Sequence, residues 1–362
     1  MNGSENKSFL RILVVNSGST STRLALFENE TPVFSETMMH SAEALKPFHR
    51  IADQYDFRLR AIKGFLSRNG IRLDTLDAVV ARGGLLRPVE GGTYAVNDRM
   101  LEDLHQAAQG EHASNLGGLI ARSIADAAGV PAYIVDPVVV DELDDVARVS
   151  GLPQTPRRSI FHALNQKAVA RVAAGVLKKT VDEINLIVAH LGGGISVGCH
   201  RRGRVVDVNN ALDGEGPFAP ERAGSVPSGQ LAELCFSGRY TFTEIRKMLT
   251  GSGGLVAHLG TNDMRVVRKR IASGDATARL IIEAMAYQIV KQIGASAAAL
   301  NGDVQAVVLT GGLAADLDFT ALIADRIRWI APVVVLPGEQ EMTSLCQGAL
   351  RVLRNQETLK EY

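Results

Sequence analysis

Apolar runs at 11–15, 22–27 and 32–38, parted by short polar breaks, predict a meander of strands at the start of the chain. A helix is predicted over 42–69, with Gly70 as its stop. The run Asp77-Ala78-Val79-Val80-Ala81 has the form of a buried strand and ends at Arg82-Gly83-Gly84. Asn97 caps a helix that stops at Gly110, and a further helix from Ser114 stops at Gly129. Another apolar strand, 132–135, ends at Asp136-Pro137. The second half repeats the theme, with a helix over 161–178, then strands at 185–190, 195–200 and 204–208. Residues 209–229 are rich in Gly and Pro and read as loop, followed by helices around 230–236, 242–249, 263–272 and 275–300. A strand at 306–309 ends in Thr310-Gly311-Gly312, and strand 333–336 and a helix over 342–355 close the pattern. Strands alternating with helices predict an α/β class with a mixed sheet in each half, whose ligands sit beyond the strands' carboxyl ends.

Two stretches share one plan: an apolar strand, a turn of Gly, Ser or Thr, and a second strand leading straight out. They are 12–27, with Asn16-Ser17-Gly18-Ser19-Thr20-Ser21-Thr22-Arg23 at its turn, and 186–198, with Gly192-Gly193-Gly194. Such turns offer backbone N–H and hydroxyl donors with little side-chain bulk in the way, which suits a phosphate. A tight hairpin would explain one of them; two, one per half, suggest related domains holding one polyphosphate between them. Neither a GxxxxGK[ST] nor a GxGxxG motif is present, which removes the main support for P-loop and Rossmann readings.

Composition narrows the class. At 362 residues, two domains are expected. Hydrophobic residues make up 46% and charged residues 22%, ordinary for a globular protein. Lys+Arg and Asp+Glu are 39 each, so bulk charge implies no nucleic-acid partner. Cys199, Cys235 and Cys346 lack metal-type spacing and read as reduced thiols of a cytoplasmic protein. The polar segment Met1–Ser8 and the short apolar run after it do not form a signal peptide, and nothing approaches the ~20 apolar residues of a membrane span.

Single residues carry the candidate chemistry. Arg82, after a buried strand and before two glycines, is suited to a carboxylate or phosphate, a surface salt bridge being the alternative. Arg222 lies in a loop too long to be a plain connector. Asp136 ends a strand where it can face a hydrated Mg²⁺ or simply form an Asp-Pro turn. His162, which opens a helix, reads on its own as structural sooner than catalytic, and the same holds for His112 and His190. Glu339 and Glu341 follow the late strand, where either could be a second carboxylate near a metal. Gly311-Gly312, after its strand, lets backbone approach an adenosine closely.

With these residues in view, the chain resembles the butyrate kinases, short-chain fatty-acid kinases related to acetate kinase within the superfamily of sugar kinases, actin and heat-shock chaperones. The likeness lies in Asn16 to Arg23, Ala81 to Leu86, Glu111 to Asn115, Ile134 to Pro137, Ser159 to Asn165, His190 to Gly194 and the loop from Asp213 to Pro227. It implies two duplicated actin-like (ribonuclease H-like) domains with an interdomain cleft, the first over 8–155 plus 345–362 and the second over 156–344. The activity implied is reversible transfer from ATP, with Mg²⁺, to a short carboxylic acid, most simply butanoate, with isobutyrate, propionate or acetate as alternatives. An ATP-switched binding protein of the actin kind is the remote alternative.

The resemblance also implies roles. Asn16, Ser19, Ser21 and Arg23 would line the first phosphate turn; His190 and Gly192, Gly193 and Gly194 would face the nucleotide phosphates, and Gly311 and Gly312 the adenosine. Arg82 would hold the substrate carboxylate, Asp136 and Glu341 the metal, and His162 and Arg222 the transferred phosphoryl group. A homodimer or larger homo-oligomer is expected from the relatives. Arg23 stands where lysine is usual, and Gly193 replaces the asparagine of the acetate branch.

Overall fold

A computed structural model describes residues 9–362, so Met1–Ser8 and the first position of the expected first domain lie outside the described residues. Chain contacts divide it into two units, one reaching Val140 and resumed at Gln340–Tyr362, the other spanning Asp141–Glu339. The segment 141–155, which the sequence reading assigned to the first domain, packs with the second unit. There Asp144 N–H donates to Val206 O at 2.9 Å, and Arg201 pairs with the Asp144 carboxylate at 2.7 Å.

In the first unit, β1 (Arg11–Ser17), β2 (Ser21–Glu28) and β3 (Thr31–Met39) form an antiparallel meander. β4 (Ala78–Arg82) joins parallel to β1, and β6 (Ala132–Val135) parallel to β4. The short β5 (Thr93–Ala95) adds antiparallel to β6, for the order β3-β2-β1-β4-β6-β5. In the second unit, β7 (Asn185–Leu191), β8 (Ile195–Arg201) and β9 (Arg204–Val208) repeat the meander. β10 (Ala306–Gly311) and β11 (Val333–Pro337) repeat the parallel pair, for the order β11-β10-β7-β8-β9. Leaving out β5, the two sheets have the same order and the same strand senses. This is the duplicated actin-like α/β architecture that the sequence implied.

Strand alternation explains how each sheet is buried. Along β7, Ile187, Ala189 and Leu191 enter one core with Ile282, Ile289 and Ile293 of the helix Ala276–Ala299. Leu186 and Val188 face the other way, against Ala170, Ala173 and Ala174 of the helix Ala163–Val176. In the first unit, Leu13 and Val15 of β1 pack with Ile62, Phe65, Ile120 and Ile124. The helix Glu341–Leu353 returns to this sheet and packs on β1, β4 and β6.

The helix expected over 42–69 is interrupted. A short helix Ala42–Leu45 is followed by Pro47, which has no N–H to continue the ladder, and the main helix begins at Tyr55 and runs to Arg68. Asn97 does cap its helix, accepting from Met100 N–H at 3.0 Å, but the helix ends at Gln106 because Ala107 takes a left-handed turn at φ 53°. The sequence reading also missed β5 and the helices Gly254–Leu259 and Leu317–Ile327. Among the described residues no helix is long and apolar enough to cross a membrane. Cys199 and Cys346 are buried and Cys235 is exposed, all three as free thiols.

Candidate active site

The first unit gathers its polar residues at the ends of β1, β4 and β6. The turn between β1 and β2 holds Ser19, exposed, Ser21, half-buried, and Arg23, exposed on β2. Beneath the turn lies Arg58, a fully buried guanidinium without a carboxylate partner among its hydrogen bonds. Its Nη1 donates to Gly18 O at 2.8 Å, Ser21 O at 3.0 Å and Thr22 Oγ1 at 3.1 Å. Its Nη2 donates to Ser19 O at 2.9 Å and to Gln54 Oε1 at 2.9 Å. Burial pushes its pKa down from the usual arginine value. The cation draws the turn's carbonyls inward, away from any anion on the outer side. Sequence reasoning missed Arg58, although its place in the apolar stripe Leu59, Ile62, Phe65 and Leu66 of an amphipathic helix was the available signal.

Arg82, the last residue of β4, meets Glu341, the first residue of the returning helix, with Nη1 at 3.0 Å from Oε1. Asn16 Nδ2 donates to the other oxygen, Oε2, at 2.7 Å. Three residues predicted from distant parts of the sequence therefore form one cluster, with Arg82 still 38% exposed. His112 stands in the field of Arg82, and burial first, then that charge, lower its pKa. Its Nδ1 accepts from Ser114 N–H at 3.2 Å, so the imidazole is held by the start of the helix Asn115–Ala128.

Asp136 is 1% exposed, and its Oδ1 accepts from Gly92 N–H at 2.7 Å while its own N–H donates to Gly92 O at 3.0 Å. Its φ of 38° lies in the left-handed region, costly for an L-residue and doubly so before a proline. This reciprocal clasp holds the strained position at the end of β6.

In the second unit the site forms around the turn between β7 and β8. His162 precedes its helix, and its ring stacks on His190 at 3.7 Å between centroids with 9° between planes. His190 is wholly buried, so it supports the site from beneath. Its Nδ1 lies 2.7 Å from Asn165 Oδ1, and its Nε2 lies 3.0 Å from Glu339 Oε1 without alignment for a hydrogen bond. Of the two acidic residues left open by the sequence, Glu339 is thus beside His190 and Glu341 beside Arg82.

Arg222 runs back against the glycine turn and donates through Nη1 to Ala211 O. A Cβ at Gly194 would lie 1.8 Å from that Nη1, so the bare backbone is what admits the guanidinium. Gly193 O accepts from Glu221 N–H at 3.3 Å, and a side chain at Gly193 would meet only ordinary contacts, the nearest at 3.5 Å. A Cβ at Gly192 would crowd His190 Nε2 at 2.9 Å. At the end of β10, Gly311 has φ 87° and would place a Cβ 2.5 Å from Leu191 O, whereas Gly312 opens on free space.

Each unit by itself offers groups that fit phosphate, and the first also carboxylates that fit a hard cation. Among the described residues, Arg222 Nε is a buried donor without a hydrogen-bond partner, and so is the hydroxyl of Ser17 beside the first turn. Such orphaned groups are costly unless a ligand completes them. Burial pushes the Arg222 pKa down, with the carboxylates of Glu221 and Asp213 opposing. Carboxylate oxygens at Glu341 and Asp136 are of the type that Mg²⁺ takes, alongside water and phosphate oxygens. Among the described residues, no group of three or more His, Cys, Asp or Glu side chains forms a metal cage.

Residues 154–321 match the model of the acetokinase family, a stretch that contains His162, His190, the glycine turn, Arg222 and Gly311-Gly312. Among solved structures, the fold is similar to that of an acetate kinase from Porphyromonas gingivalis, with a TM-score of 0.76 and 18% identity over 95% of this chain and 100% of that one. It is also similar to a propionate kinase from Francisella tularensis subsp. tularensis, with a TM-score of 0.71 and 20% identity over 94% and 98% of the two chains. An acetate kinase from Entamoeba histolytica gives a TM-score of 0.73 at 18% identity, over 94% and 99%. Residues 154–321 therefore carry acetokinase-family sequence, and the chain as a whole carries the fold shared by acetate and propionate kinases.

Proposed function

We propose that the protein transfers the terminal phosphoryl group of ATP to a short carboxylic acid, reversibly, giving ADP and an acyl phosphate, with butanoate as the preferred acid. The observation that carries this reading is Arg222: a guanidinium admitted by Gly194, with a buried Nε that has no hydrogen-bond partner among the described residues. The acetokinase-family match over the same unit supports it. Gly193 and the run His162-Ala163-Leu164-Asn165, which resemble the butyrate branch, support the longer acid.

A short carboxylic acid has a pKa of about 4–5 and is already ionised at neutral pH, so its attack on phosphorus needs no general base. The difficulty is bringing an anion to an anion, and positive charge with positioning overcomes it. Arg82 keeps donors beyond its contact with Glu341 and offers the acid a guanidinium edge. Ser19, Ser21, Arg23 and the β1–β2 turn receive phosphate oxygens on the side away from Arg58. Asn16 and Arg82 orient Glu341, which with Asp136 would hold Mg²⁺; that ion, when bound, neutralises phosphate charge. Arg222 and His162 donate to the phosphoryl group as it moves. Gly192 to Gly194 leave room for the nucleotide phosphates, and Gly311-Gly312 for its adenosine.

The test is to mix protein, ATP and Mg²⁺ with acetate, propionate, butanoate, isobutyrate and longer acids, using hydroxylamine to trap acyl phosphate. Hydroxamate is expected with highest kcat/KM for butanoate. ATP hydrolysis with no hydroxamate from any acid would overturn the reading, and a maximum at acetate would overturn the choice of acid.

A further inference from the structure

His162 is tied at Nδ1 to Ser196 Oγ, 2.9 Å away, and the line of bonds continues inward. Gln166 Nε2 donates to Ser196 Oγ at 2.8 Å and to the Ser196 carbonyl at 3.1 Å. A carbonyl oxygen can only accept, so this second bond orients the Gln166 amide. Its Oε1 then faces His200 Nε2 at 3.0 Å, and His200 has to be the donor. His200 suits that part, because burial pushes its pKa down to about 3 and leaves the ring neutral. The first two bonds run one way, His200 to Gln166 and Gln166 to Ser196; the Ser196 hydroxyl, accepting from Gln166, keeps its own hydrogen to give, and His162 Nδ1 is the acceptor set beside it. With Nδ1 accepting, the neutral His162 ring carries its proton on Nε2.

The strand beneath is shaped for the amide. Gln166 is 0% exposed and crosses β8 at Gly198, where a Cβ would lie 2.3 Å from its Oε1. A buried amide with one end fixed by a carbonyl and the other met by a ring N–H is a costly arrangement to assemble by chance and a rigid one once assembled.

We infer that Gln166, acting through Ser196, is a positioning residue that holds His162 with its ring proton on Nε2, ready to donate to the transferred phosphoryl group. The donation to phosphoryl rests on the proposed function; the choice of tautomer does not.

The test labels histidine nitrogens and reads the His162 tautomer by long-range ¹H–¹⁵N correlation in the full chain, beside steady-state kinetics. In the unsubstituted protein, Nε2 should carry the proton and Nδ1 should show the shift of an accepting nitrogen. Gln166→Glu keeps the size but removes the donor, so the Ser196 hydroxyl turns toward the new carboxylate and the His162 proton moves to Nδ1. Ser196→Ala is the milder variant, and should mix the two tautomers. Both should lower kcat about 10- to 100-fold while KM for ATP and acid stays within about twofold, as expected for a donor displaced by a fraction of an ångström. A proton on Nδ1 of unsubstituted His162, or a tautomer unmoved in Ser196→Ala, would overturn the inference even in an active enzyme. If no acid is phosphorylated at all, the function fails while the tautomer measurement still decides the role of Gln166.

Discussion

The two hairpin turns share a plan and differ in what lies beneath them. Under the β1–β2 turn is a charge: Arg58 gathers the carbonyls of Gly18, Ser19 and Ser21. Under the β7–β8 turn are stacked rings and missing side chains: His190 stacks below His162, and Gly194 makes room for Arg222. One fold thus prepares an anion-facing turn in two ways. The first unit fixes the turn from below with a buried cation, and the second brings a cation in from a loop, where the proposed function has it meet the phosphoryl group. Arg222 should accordingly matter for rate, and Arg58 for the integrity of the turn.

The sharpest test of that contrast is Arg222→Ala, for which kcat should fall about 10³-fold, within the range seen when an arginine leaves a phosphoryl-transfer site, with little change in KM for the acid. Arg58→Met should cost about 3 kcal/mol in folding free energy by denaturant titration, because several buried acceptors lose a charged donor together. Gly194→Ala pushes the guanidinium aside without removing it, and kcat should fall about 10²-fold, the cost of a displacement of about an ångström. Arg82→Ala should act on binding instead, raising KM for the acid about tenfold for one charge-assisted contact. Equal effects of the Arg82 and Arg222 substitutions on kcat and KM would erase the division of labour.

A separate effect, on stability and away from the two turns, is in pH. His200 has its pKa depressed from 6.5 to about 3, burial first and Lys167 next, with Glu142 opposing. An unfolded chain therefore binds this proton more readily than the folded one. The contribution is fully present above pH 6.5 and is lost as pH falls toward 3. Its slope is about 1.4 kcal/mol per pH unit in that window, and His200→Gln should flatten it in unfolding measurements.

Much of this was legible because it was local. Apolar runs ending in Gly, Ser or Thr turns marked β1–β2 and β7–β8, and Asn97 and Gly129 marked helix ends through cap chemistry that needs only a few neighbours. What escaped was long-range. Arg58 looked like one more charge on a helix, since the carbonyls it holds lie 37 to 40 residues earlier. Glu341 meets Asn16 across 325 residues, and spacing cannot announce that pairing. Gln166 is read only when β8 is laid under its helix, with Gly198 opposite the amide. The break at Pro47 was a different failure: the local signal was there, and a long apolar pattern outweighed it.

The direct test of phosphoryl transfer to a carboxylate is ³¹P spectroscopy of the reaction with ATP and butanoate labelled with ¹⁸O in its carboxyl group. An acyl phosphate signal displaced by a bridging ¹⁸O, rising in step with ADP, is the expected result. ADP rising with only unlabelled orthophosphate would contradict it, since water rather than the acid would then have taken the phosphoryl group.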